Sequence, residues 1–271
     1  MSVMPCICQW RVSSLIFLTV GHTEDMGTRG VSLRYCTVAG DEVTTTWEQA
    51  RADLIVEGLP IRIPPAYRGQ RNYPGLFWAS TNHRTLVYES LLELERLWLA
   101  DFDPTVAQIA TQPFQLAGRD INGPRRHVPD MLLTHRDRRV TLVDVKPQAA
   151  LSRPQVKAQF DWTRDLCREK GWRYEVFAGG SPTVLRNIRA LAVARRHSRI
   201  PDDLLEHAWI VLRDAGRLPF GEAVTRKPAS CEEALWRVAL SAHIWSGKVT
   251  ADLSQPLSDK TLIETSVEAA A

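Results

Sequence analysis

The chain has 271 residues, of which 44% are hydrophobic and 24% are charged. This length and balance are typical of a folded soluble protein of one or two domains, and they exclude a disulfide-rich miniprotein, an extensively disordered chain and a membrane protein. The net charge of +3 is too small to indicate a nucleic-acid partner by itself, so such a partner has to be argued from where basic residues cluster.

Residues 1–25 are interpreted as a leader that is either disordered or an over-extended gene start. Their one apolar run, 14–20, is too short to span a bilayer and follows a single arginine, Arg11, so a signal peptide is the weaker alternative. The pair Cys6-x-Cys8 suits either a metal site or, more simply, free thiols.

The five cysteines form no CxxC pair and have no histidine at zinc-finger spacing. Neither a structural zinc site nor a disulfide framework is therefore expected. Because unpaired cysteines fit a reducing compartment, the expected location is the cytoplasm.

Residues 26–80 are predicted to form an N-terminal extension that packs on the next domain. A strand pair comes first, followed by a short helix near 47–54 and a proline-rich turn over 63–68. A basic and aromatic strip follows, for which stacking on nucleic acid is the alternative to simple packing. The strip consists of Arg68, Arg71, Asn72, Tyr73, Phe77 and Trp78.

Residues 81–180 alternate between helical and β-rich segments. A helix over 86–100 carries leucines at helical spacing and ends before Pro104. Four β-rich runs come next, then a helix over 154–170 that Gly171 closes, and a strand over 174–177. This order predicts an α/β domain with a mixed sheet flanked by helices. The four runs cover 106–110, 114–116, 128–134 and 140–146.

The chain becomes helical after the Gly-Ser-Pro segment 178–182. Two short strands within 248–263 follow three helices, a pattern typical of a winged-helix module that docks on nucleic acid or protein. Residues 183–265 are therefore predicted to form a separate winged-helix-like domain, and 266–271 a short tail. The three helices are expected over 184–196, 201–215 and 231–246.

Acidic residues interrupt two neighbouring apolar strands. Asp130 lies in the first, and Asp144 and Lys146 share one face of the second because strand side chains alternate. A short hairpin through 136–139 can bring Asp130 beside Asp144. Two adjacent carboxylates repel each other unless positive charge lies between them, and a divalent cation with oxygen ligands supplies that charge. An acid-x-lysine pattern also arises by chance in a chain of this composition, so its context decides.

That context resembles the PD-(D/E)xK nuclease superfamily, and more narrowly the TnsA-like endonuclease subunits of heteromeric transposases. Five short motifs occur in the family's order within roughly 70–180, and the resemblance extends more loosely into the C-terminal region. It implies a restriction-endonuclease-like fold. The motifs are Tyr88-Glu89-Ser90-Leu91-Leu92-Glu93, Asp101-Phe102-Asp103-Pro104, Gln112-Pro113, Val128-Pro129-Asp130 and Asp144-Val145-Lys146.

The resemblance implies that Glu93, Asp130 and Asp144 form an acidic metal site and that Lys146 is the catalytic lysine. Glu89, one turn before Glu93, is the alternative for the helix acid. Some family members have glutamine where Asp144 stands, and the acid here is closer to the wider superfamily.

The implied reaction is hydrolysis of a DNA phosphodiester that leaves a 5′-phosphate and a 3′-hydroxyl. Mg²⁺, with Mn²⁺ as a substitute, would be held by the carboxylates and the Val145 carbonyl, and it would lower the pKa of a bound water. Lys146 would orient that water and offset developing negative charge. Gln112 is expected to shape the site or to contact DNA.

Basic residues on the segments that flank the acids are predicted to contact DNA, although charged turns are often only solvated. Arg119 and His127 lie in one of these segments, and for the arginines over 186–199 a solvated helix face is an equal alternative. The predicted DNA-binding residues are Arg125, Arg126, Arg136, Arg138, Arg139 and Lys157, the last near a helix N-terminus that favours phosphate.

As a TnsA-like subunit the chain is expected to cut the 5′ ends of a mobile element, acting on double-stranded DNA at transposon ends. The implied partners are a DDE-type transposase and an ATPase regulator, with no membrane partner. A stand-alone restriction or repair nuclease of the same fold is the first alternative. The second is a catalytically silent DNA-binding or scaffolding subunit, in which Asp130 and Asp144 neutralise Lys146 and nearby arginines.

Overall fold

The computed structural model describes residues 30–63, 73–121 and 123–266. Several predicted features lie outside these ranges and stay predictions. They are the leader 1–25 with Cys6 and Cys8, the turn residues 64–68, the strip residues Arg68, Arg71 and Asn72, and the tail residues 267–271.

Strands and helices alternate along the described residues. The strands are β1 (Ser32–Cys36), β2 (Glu42–Thr46), β3 (Gly75–Ala79), β4 (Arg84–Tyr88), β5 (Val106–Thr111), β6 (Phe114–Asp120), β7 (Gly123–His127), β8 (Met131–His135), β9 (Val140–Val145), β10 (Arg173–Phe177), β11 (Arg217–Pro219), β12 (Val249–Ala251) and β13 (Leu262–Thr265). The α-helices are α1 (Ala52–Glu57), α2 (Leu91–Phe102), α3 (Pro154–Lys170), α4 (Pro182–Leu191), α5 (Asp202–Ala215), α6 (Phe220–Thr225) and α7 (Glu233–Trp245).

A mixed sheet in the order β10–β9–β8–β5 carries the candidate site. Strands β8 and β9 are antiparallel, and β9 and β10 are parallel. Leu142 packs in one core cluster with Trp162 of α3, whereas the next residue, Val143, packs in another with Leu97 of α2. The sheet is therefore covered on both faces, which explains the nearly continuous apolar runs of its central strands. The predicted mixed sheet with flanking helices is confirmed.

The N-terminal extension contributes strands to a second sheet, in the order β2–β1–β6–β7. Leu33 of β1 pairs with Leu116 of β6, and both side chains are fully buried. Strands β3 and β4 form a separate hairpin, and the predicted domain boundary at residue 80 falls in its turn.

Several predicted elements differ from those observed. Helix α2 begins at Leu91 rather than at residue 86, because Ser90 caps its N-terminus and Leu86 belongs to β4. Strand β7 forms where a loop was expected, since its backbone pairs with β6. The hairpin strand β3, the short strand β11 and the short helix α6 were not predicted from the sequence.

The C-terminal region has its own core and also packs on α2. Trp236 is fully buried, and its indole N–H donates to the Ala223 carbonyl at 3.0 Å. Trp245 lies edge-on to Phe102 of α2 with ring centroids 5.2 Å apart, and its indole N–H donates to Ser80 Oγ at 3.0 Å. The C-terminal region is thus anchored to the preceding α/β segment through the end of α2.

None of the helices in the described ranges combines the length and apolarity that crossing a bilayer requires. The three described cysteines, Cys36, Cys167 and Cys231, are unpaired thiols.

Candidate active site

The β8–β9 hairpin sets Asp130 opposite Asp144. Met131 pairs with Val143, and continuing this register by one residue aligns the two acids. The Asp130 N–H donates to the Val143 carbonyl at 3.1 Å, which extends the strand pairing to this residue. The Asp130 carboxylate accepts a 2.6 Å hydrogen bond from the Val145 N–H. The structure therefore brings these two predicted acids together at the open end of the hairpin.

Glu93 lies in the first turn of α2, where it forms a capping box with Ser90. The Glu93 N–H donates to Ser90 Oγ at 3.2 Å, and the Glu93 carboxylate accepts from the Ser90 hydroxyl and from the Glu89 N–H, each at 2.9 Å. Burial raises the pKa of Glu93, against the lowering effect of the Glu89 N–H. The rival acid Glu89 instead makes an ion pair with Arg62 at 2.9 Å.

Gln112 joins Glu93 to the Asp130 backbone. Its side-chain amide donates to Glu93 at 3.3 Å, and its backbone N–H donates to the Asp130 carbonyl at 3.0 Å. Gln112 is fully buried, with a backbone φ of 42°, a conformation that non-glycine residues seldom adopt. Its side-chain oxygen is buried with no hydrogen-bond partner among the described residues. Of the two predicted roles, shaping the site fits this burial.

The carboxylates act on one another electrostatically. The pKa of Asp130 lies well above its ordinary value because the side chain is buried, and because the charges of Asp144 and Glu93 lie nearby; the Val145 N–H opposes these effects. Buried carboxylates that repel each other in this way favour either protonation or a bound cation. By donor type, three carboxylates and a backbone carbonyl suit a hard divalent cation such as Mg²⁺.

Asp144 is held by two side chains, those of His127 and Tyr174. His127 was expected only among the basic residues that flank the acids, and no role was predicted for Tyr174. The Asp144 carboxylate is 2% exposed, and its two oxygens lie 2.9 and 2.8 Å from His127 Nε2. The Tyr174 hydroxyl also donates to it. Burial and the charge of Asp144 raise the pKa of Tyr174, which keeps its hydroxyl protonated as a donor.

Strand register explains these two contacts. Val176 of β10 aligns with Asp144, so Tyr174, two residues earlier, lies on the same face of the sheet. His127 ends β7, the strand that was expected to be a loop. The one sequence signal available was that Tyr174 opens the strand predicted over 174–177.

The ligand set for a single ion is not formed in the described residues. No three His, Cys, Asp or Glu side chains there are arranged to hold one metal. Oxygens of Glu93 and Asp144 instead accept hydrogen bonds from neighbouring protein groups. The residues fit a divalent cation in chemical type and charge, but not in their present arrangement.

Lys146 follows β9 directly, two residues after Asp144, and is half-exposed. Its backbone N–H donates to the Phe177 carbonyl at 2.9 Å, which fixes the chain at this point. Among the described residues, neither a hydrogen bond nor an ion pair is found for its ammonium group. Val145, the predicted carbonyl ligand, is the buried last residue of β9. The lysine cation is therefore available to a substrate.

The predicted DNA-binding residues fall into two groups. Arg126 on β7 and Lys157 in α3 are exposed, whereas Arg125 is paired with Asp120 at 2.6 Å and is only 17% exposed. These three lie on elements next to the acids.

The other group was expected beside the acids, and its position is different. Arg136, Arg138 and Arg139 occupy the turn of the β8–β9 hairpin, whereas Asp130 and Asp144 lie at the open end. Arg136 lies six positions along the extended chain from Asp130, a distance of about 20 Å. The expectation that these arginines flank the acids was wrong, because a hairpin turn lies at the opposite end of its strands.

One comparison with known proteins identifies part of the chain. Residues 103–179 match the model of the family described as TnsA-like endonuclease N terminal. This segment contains Asp130, Asp144 and Lys146, whereas Glu93 and the C-terminal region lie outside it. No curated protein matches the chain. The predicted resemblance to the TnsA-like endonucleases is confirmed.

Proposed function

Because residues 103–179 are a TnsA-like endonuclease domain, we propose that this protein is a metal-dependent DNA endonuclease. The observation that carries the proposal is the group of mutually repelling acids, with Lys146 two residues after Asp144 at the end of β9. Asp130 and Asp144 face each other across two strands, and Glu93 lies close enough to raise the pKa of Asp130. Such perturbed carboxyl groups are concentrated at functional sites.

The acids and the lysine have separate roles in the proposed reaction. Asp130, Asp144 and Glu93 would hold Mg²⁺ or Mn²⁺, with the Val145 carbonyl as a further ligand. When bound, the ion supplies Lewis-acid polarisation of a phosphate oxygen and acidifies water. Lys146 orients the attacking water and stabilises the negative charge that develops on the phosphate.

His127 and Tyr174 act as positioning residues in this scheme. Each directs a donor at Asp144, which fixes the orientation of a carboxylate that is 2% exposed. Partners that orient a ligating carboxylate typically contribute 10- to 100-fold to metal affinity or activity.

A plasmid-nicking assay with and without Mg²⁺ tests the proposal. Asp130→Ala, Asp144→Ala and Lys146→Ala should each abolish nicking, while the matched variants Asp214→Ala and Lys260→Ala, both at exposed positions, should cut like the wild type. Melting curves in EDTA verify that each variant is folded. Nicking that persists in any of the three site variants would show that this residue is not catalytic.

Within this proposal the chain is a subunit of a heteromeric transposase that cuts the 5′ ends of a mobile element. The family resemblance supports this role, with a DDE-type transposase and an ATPase regulator as partners. Cleavage of labelled transposon-end DNA, mapped on both strands with and without the transposase, tests it. Efficient cutting of DNA that lacks transposon ends, unaffected by the transposase, would favour a stand-alone nuclease.

One observation favours a second candidate, the catalytically silent DNA-binding subunit. His127 and Tyr174 occupy the Asp144 carboxylate, and the described residues contain no formed three-ligand set. Calorimetric titration with Mn²⁺ separates the candidates. Heat of binding that Asp130→Asn removes supports the nuclease, and its absence from the wild type supports the silent subunit.

For the C-terminal region we propose a winged-helix-like module that docks on DNA or a partner protein. Its elements follow the order α5, β11, α6, α7, β12 and β13, and its three strands are ordered β11–β13–β12. This order supports the proposal because helices α6 and α7 follow strand β11 and the antiparallel pair β12–β13 closes the module. Pull-down of the full chain and of a variant truncated after residue 182 with the ATPase regulator and with DNA tests the docking role.

A further inference from the structure

A cleft of about 540 Å³ lies between the nuclease segment and the C-terminal region. Its walls are formed by the β3–β4 hairpin, the C-terminal end of α2, the β8–β9 turn and the segment after α4. Basic side chains from two of these elements converge on it. They are Arg136 from the hairpin turn and Arg195, Arg196 and Arg199 from the segment after α4.

Two of these arginines are held by aromatic rings rather than by carboxylates. The guanidinium carbon of Arg195 lies 4.6 Å from the ring centroid of Trp98 and 5.1 Å from that of Phe77. Arg196 lies 4.4 Å from the ring centroid of Trp78. Stacking engages the face of a guanidinium and leaves the N–H groups at its edge available to an acceptor. Arg195 Nη1 is buried without a hydrogen-bond partner among the described residues.

The acidic residues of the cleft do not neutralise these cations. Asp101 and Asp103 line it, so its four arginines exceed its two acids by two positive charges. Asp101 attracts Arg195 electrostatically, but one of its oxygens accepts three hydrogen bonds from Ser80 and Thr81. Asp103 accepts from the Thr105 N–H. The other Asp101 oxygen is buried without a hydrogen-bond partner among the described residues, and Arg136 Nε donates to the Pro104 carbonyl at 2.7 Å. The cleft nevertheless keeps a net positive charge, which a phosphate can neutralise.

We propose that this cleft binds backbone phosphates of double-stranded DNA, as a second contact separate from the cutting site. Arginine is suited to phosphate because its planar donor edge matches two phosphate oxygens. The cleft lies at the end of α2, eight residues from Glu93, or about 12 Å along the helix axis. One duplex can thus contact the acids and the cleft together. The inference rests on the proposed function only in taking DNA as the ligand.

DNA binding measured without cleavage tests the cleft. Fluorescence anisotropy of a labelled duplex of about 30 base pairs, in EDTA and at 50–200 mM KCl, compares the wild type with Arg196→Gln/Arg199→Gln. The charge-matched control is Arg51→Gln/Arg168→Gln, which changes exposed residues outside both the cleft and the C-terminal region. Arg136→Gln tests the opposite wall without altering the stacked arginines.

Each phosphate contact that is lost lowers the slope of log affinity against log salt by about 0.9. The double cleft variant should therefore lose about 1.8 from the slope, and its deficit relative to the wild type should shrink about tenfold between 50 and 200 mM KCl. Arg136→Gln should lower the slope by about 0.9, and the control should leave it unchanged.

Two results would overturn the proposal. One is that the cleft variants, shown to be folded by their melting curves, bind DNA with the same slope as the control. The other is that they bind DNA normally but lose a protein partner, which would assign the cleft to an acidic protein surface. Because the assay contains no divalent metal, a protein that binds DNA through the cleft but never cuts would refute the endonuclease proposal alone.

Discussion

Removing the Tyr174 hydroxyl tests how Asp144 is held. Tyr174→Phe keeps the ring, whose centroid lies 6.3 Å from that of Phe160, and deletes only the hydroxyl that donates to the Asp144 carboxylate. A hydrogen bond to a charged group contributes about 1.5–3 kcal/mol to stability. Asp144 is 2% exposed, so water cannot replace the lost donor without a rearrangement. The free energy of unfolding should therefore fall by about 1.5–3 kcal/mol.

Urea denaturation at pH 7 in EDTA measures this loss, and a thermal melt should show a decrease of about 3–12 °C for a chain of this size. Tyr35→Phe is the matched control, because Tyr35 is half-buried and no hydrogen bond of its hydroxyl is found in the described part of the chain. Its effect should stay within about 0.5 kcal/mol.

A double-mutant cycle identifies the partner of the tyrosine. In an Asp144→Asn background the bond joins neutral groups, so Tyr174→Phe should cost only about 0.5–1.5 kcal/mol. The coupling free energy between Tyr174 and Asp144 is then about 1 kcal/mol or more. An equal loss in both backgrounds, or a wild-type stability for Tyr174→Phe, would refute the conclusion that this hydroxyl stabilises a charged Asp144.

Three further predictions concern the site and its framework. Asp130 has a raised pKa in the fold, so the stability that it contributes below its ordinary pKa of 3.8 is lost as the pH rises through the folded pKa. Asp130→Asn should therefore be more stable than the wild type at pH 7 in EDTA, and urea titrations should show that this difference grows with pH. A difference that does not depend on pH would contradict the prediction. Gly171→Ala should lose about 1–2 kcal/mol by chemical denaturation, because φ is +73° at this helix C-cap, and an unchanged midpoint would argue against that backbone conformation. Leu33→Ala should lose about 2–5 kcal/mol in one cooperative transition followed by tryptophan fluorescence, because the side chain is fully buried between the extension and the nuclease sheet; a separate early transition would show that the extension folds alone.

Local signals in the sequence were enough to predict several elements correctly. Helix α3 was predicted at its observed bounds, 154–170, because proline at its first position and Gly171 after its last are signals that act within one turn. Strands β8 and β9 were recognised because an apolar run that is buried on both faces has a characteristic composition. The order of the acids along these strands also carried the resemblance to the TnsA-like endonucleases, which the match over residues 103–179 supports.

The sequence was less informative where two conformations satisfied the same local pattern. Leu86 continues the helical spacing of the leucines in α2, yet it forms part of β4 because the Ser90 capping box starts the helix later. Residues 123–127 are polar and carry a proline, so their pairing with β6 had no local signal. The metal ligands, the catalytic lysine and the DNA contacts stay predictions.

Contacts between distant segments were decided by the tertiary structure alone. His127 and Tyr174 reach Asp144 from positions 17 and 30 residues away, because β7 and β10 lie beside it only after the sheets assemble. Arg136 and Arg196 share a cleft because the C-terminal region packs on the end of α2. Sequence periodicity reports how a segment interacts with solvent and with its own next turn, whereas these contacts depend on which buried surfaces meet, and that is determined by packing of the whole chain.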